Sequence, residues 1–204
     1  MPKRTRYHHG NVPGASIDAA LQILKTQSAE AITLRELARR IGVSQTAPYR
    51  HFRSRAELLA SVAAEGFRML RAKTAQAAHQ SANASDRVRL LGLAYVGFAV
   101  ENAHLFRLMF GPELGDRSEH VALLSEANEL LVELGRALHP DDLVDPLAKD
   151  EAASTQSLAA WSTLHGLASL LIDCQLVAAG YGPEQATQVV ELVTRALEPC
   201  VCAQ

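Results

Sequence analysis

Residues 33–44 constrain this chain more than any other segment, because two helix-start signals lie there on either side of a helix-ending glycine. Thr33 and Glu36 have the spacing of a capping box, in which each side chain satisfies a backbone N–H at the start of a helix. Gly42 supplies the left-handed residue that commonly ends a helix, and Ser44 is a favoured N-cap for the next one. The segment therefore predicts two consecutive helices joined by a tight turn, as in a helix-turn-helix.

Flanking signals extend this pair to a three-helix unit. From Ser16 onward, apolar residues recur at the spacing of a one-sided helix. Ser54 and Glu57 form a second capping box, which predicts a long helix that continues to about Gln80. Pro48 would be the fourth residue of a helix capped by Ser44, and we expect the helix to tolerate it so near its start.

The charge of the chain is divided unevenly. The net charge is −2, yet residues 1–60 hold ten Lys and Arg against four Asp and Glu, which leaves +6 there and −8 in the remainder. A basic head on an acidic body predicts that the head binds a polyanion. The alternative is a three-helix packing module with an ordinary solvated basic face.

The second helix of a helix-turn-helix presents its first residues to base edges in the DNA major groove. Gln45 and Thr46 can hydrogen-bond to bases, and the Ala47 methyl can contact a thymine methyl. Donors to phosphate follow closely, and residues at the two helix starts complete the expected DNA contacts: Thr33, Arg35, Ser44, Tyr49, Arg50, His51, Arg53 and Arg55.

Residues 1–13 are predicted to be a flexible basic arm. Arg4 and Arg6 could follow the minor groove or the phosphates of a duplex, and an incidental disordered tail is the alternative. His8 and His9 suggest a metal site only weakly, because no third ligand is near in sequence and the neighbouring arginines repel cations. We expect neither a metal nor a cofactor.

The rest of the chain also reads as helical. We predict an all-α protein with a helix-turn-helix domain over residues 14–60 and a helical effector-binding and dimerisation domain over residues 61–204. The long helix that includes Trp161 and His165 is expected to run from about Lys149 to Ala179. Aromatic and polar residues that could line a mostly apolar ligand cavity, with plain core packing as the alternative, are Tyr95, Phe98, Asn102, Phe106, Met109, Phe110, Trp161 and His165.

The last two long helices carry apolar stripes that exceed what one subunit is expected to bury. Pairing of these helices across a two-fold axis would cover both stripes, and burial inside one subunit is the alternative. The residues assigned to this dimer interface are Leu164, Leu167, Leu171, Cys174, Val189, Leu192, Val193 and Ala196.

The run TLRELARRIGVSQTAPYRHFRSRAELL resembles the DNA-binding domain of the tetracycline-repressor-like (TetR) family of bacterial transcriptional regulators. The resemblance covers roughly residues 15–60 and rests on the order of Thr33, Ala38, Gly42, Val43, Ser44, Tyr49, His51, Phe52, Ser54 and Leu58. It implies that Thr33, Tyr49 and Arg55 hold phosphates and that Gln45, Thr46 and one face of Tyr49 approach bases. The leading RYHHGN and the later Trp161, His165 and Gly166 also resemble a subgroup with a Trp…His-Gly signature.

The predicted function is a ligand-responsive homodimeric regulator, most simply a repressor, that binds a near-palindromic DNA operator. A helical protein–protein adaptor without DNA specificity is the alternative. An enzyme is not expected, because the sequence has no phosphate-cradling glycine loop, nucleophile elbow or HExxH motif. Asp173 and other polar residues interrupt the apolar stretch from Leu158 to Ala179, so a membrane span is not expected. Three cysteines are too few for a disulfide framework, which favours the cytoplasm.

Overall fold

The computed structural model describes residues 11–138 and 151–201, and in these ranges it contains helices and no strand. The all-α prediction is therefore confirmed. No helix within these ranges is long and apolar enough to cross a membrane. The α-helices are α1 (Val12–Ile23), α2 (Leu34–Ile41), α3 (Arg55–Gln80), α4 (Ala84–Glu101), α5 (Ala103–Phe110), α6 (Val121–Leu138), α7 (Glu151–Ile172) and α8 (Ala186–Val201).

The described residues form two compact units. The first contains residues up to Gly66 together with His104–Leu124, and the second contains Phe67–Ala103 together with the described residues from Ser125 onward. In the first unit α1 packs against α2, and the buried side chains of α2 are Leu34, Leu37, Ala38 and Ile41. Their i, i+3, i+4, i+7 spacing forms an apolar stripe along one face of α2 and is visible in the sequence.

Helix α1 begins earlier than the sequence suggested. The expected start was Ser16, but the helix begins at Val12 with Asn11 as its N-cap. The Asn11 side chain accepts a hydrogen bond from the backbone N–H of Gly14 at 3.0 Å, and Pro13 occupies the first turn, where its missing N–H has no intrahelical partner to lose. The segment VPGAS, residues 12–16, therefore forms the start of the helix instead of preceding it.

The start and end of α2 follow the predicted caps, with one difference. The Thr33 hydroxyl accepts from the Glu36 N–H at 3.1 Å, and Gly42 ends the helix in the left-handed region at φ +71°. The Glu36 carboxylate, however, bonds to Arg39 and Arg40 on the next turn and not to the backbone of Thr33. Only one half of the expected capping box forms.

The segment after Gly42 is not the α-helix that the sequence predicted. An α-helix capped by Ser44 would take its first hydrogen bond from the N–H of residue 48, and proline has none. The chain bonds three residues back instead: Ala47 N–H donates to Ser44 O at 3.0 Å, and His51 N–H donates to Pro48 O at 3.0 Å. Residues 45–47 form turns and Pro48–Arg50 form a 3₁₀-helix. The expectation that an α-helix tolerates Pro48 near its start is therefore wrong. Pro48 lies in a 3₁₀-helix, and its missing N–H decides the hydrogen-bond pattern of the segment.

Helix α7 ends earlier than expected, at Ile172 and not near Ala179. Cys174 lies just beyond this end with φ +56°, the only left-handed non-glycine residue in the described ranges. Its N–H donates to Leu171 O at 3.1 Å, and a short 3₁₀ segment follows at Val177–Ala179. The chain therefore turns away from the helix axis before the apolar stretch has finished.

The second unit is built around α4, which packs against both α7 and α8. Close approach depends on Gly92, where an added Cβ would lie 2.9 Å from Thr194 Cγ2 and 3.1 Å from Val190 Cγ1. Leu164 on α7 is also in this contact, at 3.2 Å from the same position. Side chains of ordinary size at residue 92 would hold the three helices apart.

We expect Gly92→Ala to lower the free energy of unfolding by about 1–3 kcal/mol, because the added methyl overpacks this contact. Gly97→Ala on the same helix is the matched control, since among the atoms of residues 11–138 and 151–201 only the Lys73 Nζ would lie within 4.0 Å of its Cβ. That control should be neutral or stabilising by up to about 1 kcal/mol, as for glycine replacement inside a helix. Urea unfolding of both variants measures the difference, and equal stabilities would contradict the packing assignment.

Candidate DNA-binding surface and effector cavity

The turn after α2 exposes its polar side chains because two apolar residues anchor it from beneath. Pro48 and Phe52 are buried, and Phe52 N–H donates to Pro48 O at 2.9 Å. Ser44, Gln45 and Thr46 are exposed, and the hydroxyls of Ser44 and Thr46 lie 3.2 Å apart. The side chains predicted to contact bases therefore stand together on an accessible surface, with Ala47 half-buried beside them.

Donors suited to phosphate surround this turn. Tyr49 keeps 59% of its surface exposed, which is unusual for a large aromatic residue in the described chain. Arg50 and His51 are exposed beside it, and Arg35 is exposed on the first turn of α2. Thr33 is exposed at the N-cap of that helix, where its oxygen already accepts from Glu36 N–H and its own hydroxyl hydrogen remains available to an anion.

Glu36 restrains two further arginines of α2. Its carboxylate lies 2.7 Å from Arg39 Nη2 and 2.8 Å from Arg40 Nε. Hydrogen bonds from Arg39 and then from Arg40 lower the pKa of this carboxyl to about 2. The pairing directs these two guanidinium groups along the helix and leaves Arg35, on the first turn, outside the Glu36 cluster.

Arg55 has an internal role that the sequence did not suggest. Its Nε–H donates to Ile32 O at 2.8 Å, and its Nη2–H donates to Ala29 O at 2.6 Å. Both acceptors lie in the loop that leads into Thr33, so the first residue of α3 fixes the start of α2. The role as a phosphate contact, implied by the family resemblance, would have to use the remaining N–H groups of the same guanidinium.

We expect Arg55→Ala to lower the free energy of unfolding by about 1–2 kcal/mol, because two charge-assisted hydrogen bonds are lost at a partly solvated site. Arg53→Ala is the matched control, since Arg53 is exposed and its backbone N–H, which the substitution keeps, donates to Glu57. Thermal or urea unfolding without DNA separates the two variants. Equal stability of both would show that Arg55 does not hold the loop.

The arm residues Arg4 and Arg6 lie outside the described residues. Their assignment to DNA remains a prediction.

Three of the residues predicted for an effector pocket form one hydrogen-bonded group in the second unit. Trp161 Nε1–H donates to the Tyr95 hydroxyl at 3.1 Å, and the same hydroxyl lies 3.1 Å from His165 Nδ1. Indole is a donor only, so the Tyr95 oxygen accepts from Trp161, and the Tyr95 O–H can donate to His165 Nδ1 when the neutral imidazole carries its proton on Nε2. Burial lowers the pKa of His165 and raises the pKa of Tyr95, in agreement with this neutral arrangement.

The remaining pocket candidates lie elsewhere. Asn102 Nδ2 donates to Phe98 O at 3.0 Å at the end of α4, where both residues are buried. Phe106 and Phe110 stack with ring centroids 4.8 Å apart on α5, and Met109 is buried beside them. These three α5 residues belong to the first unit, whereas Tyr95, Trp161 and His165 belong to the second.

A cavity that the sequence did not predict lies in the second unit between α3, α4 and α6. Its volume is about 380 Å³, at the lower end of the range for small-molecule sites. None of the eight predicted pocket residues lines it, although Leu91 in its wall is one turn before Tyr95 on α4. The lining residues are Thr74, Ala75, Ala78, His79, Leu91, Glu133 and Leu134. Alanines and a threonine at helical spacing are also typical of ordinary helix packing, so the sequence did not indicate this cavity.

Half of the residues assigned to a dimer interface are already covered within the chain. The buried residues are Leu164, Leu167, Leu171 and Val189, in the helices that pack with α4. The assignment of these eight residues to a dimer interface therefore stays a prediction, and the exposed part of the stripe is confined to the other four. Leu192 is 50% exposed, Ala196 is exposed and Val193 is half-buried, all on α8, while Cys174 is exposed beyond the end of α7.

Two family models match the chain, one in each part. A model described as bacterial regulatory proteins, tetR family, matches residues 17–62, and one described as tetracyclin repressor-like, C-terminal domain, matches residues 88–197. The chain belongs to the TetR family.

Three relatives of this TetR-family chain, each less than 30% identical to it, illustrate the likeness. The nucleoid occlusion factor SlmA from Marinomonas sp. (strain MWYL1) is 27% identical over 105 residues, which are 52% of this chain and 53% of SlmA. The match thus spans about half the length of that relative. Among solved structures, a protein of unknown function from Rhodococcus sp. RHA1 has a TM-score of 0.76 at 27% identity over 95% of this chain and 97% of its own. PfmR, a TetR family transcriptional regulator from Thermus thermophilus, shares the fold, with a TM-score of 0.56 at 21% identity over 91% of this chain and 96% of its own.

Membership of the TetR family decides the general class of this protein. It is a transcriptional regulator with an N-terminal helix-turn-helix DNA-binding domain, and it is not an enzyme. The match over residues 17–62 contains the exposed turn at residues 44–46 and the Arg55 contacts, so both lie in the part of the chain that matches the tetR family model.

Proposed function

We propose that this TetR regulator acts as a homodimeric repressor that binds a near-palindromic operator and is released by a small effector. The observation that carries the proposal is the turn in which buried Pro48 and Phe52 hold Ser44, Gln45 and Thr46 outward. Short polar side chains on a rigid, exposed turn in a region of positive charge are suited to base edges. Effector release and repression rest on the second unit, whose cavity offers a site for a ligand.

The proposed DNA contacts divide by chemistry. Gln45 and Thr46 approach bases, and Ala47 places a methyl beside them. The residues assigned to phosphates surround the turn, and the helix N-terminus at Thr33 adds backbone N–H groups to the same anion site. Contacts to phosphate position the protein without selecting a sequence, so we assign specificity to Gln45 and Thr46.

The dimer is proposed to form through α7 and α8. Leu158 and Leu170 on α7 and Leu192 on α8 are large apolar side chains left exposed by the single chain. Gly166 lies between the two leucines of α7, and no atom of the described residues lies within 4 Å of its Cβ position, so another backbone can approach there. Pairing of these faces about a two-fold axis would present two DNA-binding turns to half-sites about 34 Å apart, or one helical turn of DNA.

Effector control is proposed to act through the second unit. A ligand can shift an equilibrium only by its differential affinity for the two conformations, and such coupling is typically about 1–3 kcal/mol. The cavity wall includes Thr74 and His79 of α3, the same helix that begins at Arg55. A ligand that favours one placement of α3 would thereby favour one spacing of the two DNA-binding turns.

The decisive experiment is a binding titration against duplexes selected from a random library. We expect selection of an inverted repeat, with affinity that falls steeply with salt, by a slope of about −0.9 per neutralised phosphate. Lengthening the spacer by about five base pairs should abolish tight binding, because the half-sites then face opposite sides of the helix. Binding that barely responds to salt would favour the adaptor, and a selected site without two-fold symmetry would contradict the dimer.

Gln45→Ala should change base preference at one position of each half-site, with about 1–3 kcal/mol of discrimination lost there. Arg50→Ala is the control, since a phosphate contact should weaken all duplexes alike and reduce the salt slope by about one. Binding of both variants to the selected repeat and to single-base variants of it measures the two effects. An equal loss on selected and scrambled duplexes for Gln45→Ala would remove its assigned role.

A further inference from the structure

We propose that the cavity between α3, α4 and α6 binds a small amphipathic amine in its protonated form, with Glu133 as the group that recognises the ammonium. The inference rests on the proposed function, because it names the chemical class of the effector. It follows from three properties of the cavity: the apolar character of most of its wall, the absence of fixed hydrogen-bond donors among its described lining side chains, and the charge balance around Glu133.

Most of the cavity wall is apolar and offers a ligand no side-chain hydrogen bonds. Ala75 and Ala78 on α3 share this wall with Leu91 of α4 and Leu134 of α6. Both leucines are among the buried residues of the second unit. A ligand that fills about 380 Å³ next to these side chains needs a compact apolar body.

The polar groups of the wall mostly accept hydrogen bonds. Thr74 is buried and its Oγ1 lies 3.1 Å from Leu70 O and 3.0 Å from Arg71 O, so its only O–H is donated within α3. The Glu133 carboxylate accepts only, and His79 can accept or donate at a ring nitrogen. No lysine, arginine or amide side chain is among the described residues that line the cavity. A ligand that donates hydrogen bonds is therefore matched here, and a carboxylate ligand is opposed by Glu133.

The charges around Glu133 leave its carboxylate poorly compensated. Arg71 approaches three glutamates of α6, and it makes its shortest contact with Glu129. It lies 3.5 Å from Glu126, but its Nε is 3.7 Å from the Glu133 carboxylate, beyond hydrogen-bond distance. Glu126 also pairs with Arg68 at 3.1 Å. In this described cluster three carboxylates face two guanidinium groups, and the carboxylate with the weakest pairing is the one in the cavity wall.

A cation bound in the cavity would neutralise the excess negative charge of this cluster. The Glu133 side chain is 40% exposed, so it reaches solvent and can bind an ammonium without prior loss of a strong internal ion pair. Hydrogen bonds to charged groups are stronger than those between neutral ones, so an amine should be preferred over an alcohol of the same length.

The test compares octylamine, 1-octanol and octanoate, which share one chain length and differ in the charge of the head group. Isothermal titration calorimetry on the full chain should give an affinity for octylamine at least about tenfold higher than for 1-octanol, with octanoate weakest. Glu133→Gln should remove the preference for the amine. Glu184→Gln, with the same loss of charge in the second unit but outside the cavity wall and the Arg71 cluster, should keep it.

The location is tested separately with Ala78→Phe, which places a ring in the cavity and should weaken binding of all three compounds about equally. Thermal unfolding of each variant confirms that it is folded. The proposal is overturned if octanoate or 1-octanol binds as tightly as octylamine, if Glu184→Gln has the same effect as Glu133→Gln, or if Ala78→Phe changes nothing.

Duplex binding measured in the same samples separates this proposal from the proposed function. Octylamine binding that depends on Glu133 but leaves the complex with the selected duplex intact would support the cavity assignment and contradict the effector role. Release of the duplex by a neutral or anionic compound through the same cavity would support ligand control and overturn the amine assignment.

Discussion

The missing amide hydrogen of Pro48 determines the form of the exposed turn that is proposed to contact DNA. Without it, the segment after Ser44 bonds three residues back, and the chain passes through a 3₁₀-helix with Pro48 and Phe52 beneath. Gln45 and Thr46 consequently stand at the outer edge of a tight turn and not along the side of a long helix. Arg55 supports the neighbouring element by its two bonds to the loop before α2. The missing N–H of Pro48 thus shapes the exposed turn, and the guanidinium of Arg55 holds the loop before α2.

The second unit depends in a similar way on α4. Gly92 allows α7 and α8 to approach, and Tyr95, one turn later, joins Trp161 and His165 by two hydrogen bonds. A buried polar group costs free energy unless it is paired, so this network fixes how α7 packs on α4. Leu91 lies one turn before Tyr95 and contributes to the cavity wall. Helix α4 therefore contributes both to the wall of the proposed effector site and to the hydrogen-bonded network.

Much of the helical fold was predictable because local signals and packing agree. The stripe of α2, the left-handed Gly42 and the capping residues Thr33 and Ser54 are visible in the sequence, and each appears in the structure. The predicted starts and ends of helices were wrong where a hydrogen bond to the backbone, or the lack of one, sets the helix boundary. Asn11 moves the start of α1 forward, Pro48 prevents an α-helix after Ser44, and Cys174 lies in the turn that follows the early end of α7.

By itself the sequence determined the fold class and the location of the helix-turn-helix, since these follow from spacing and charge within short segments. The choice of side chains that contact DNA stays a prediction. The sequence also brought Trp161 and His165 together on one helix face. Only the tertiary structure decided that Tyr95 joins them, that Arg55 reaches back 23 and 26 residues to two carbonyls, and that Glu133 lines a cavity with poorly balanced charge. Those contacts depend on the distances between helices. Side-chain volume at positions of close approach, such as Gly92, sets these distances, and the spacing of apolar residues in the sequence does not reveal them.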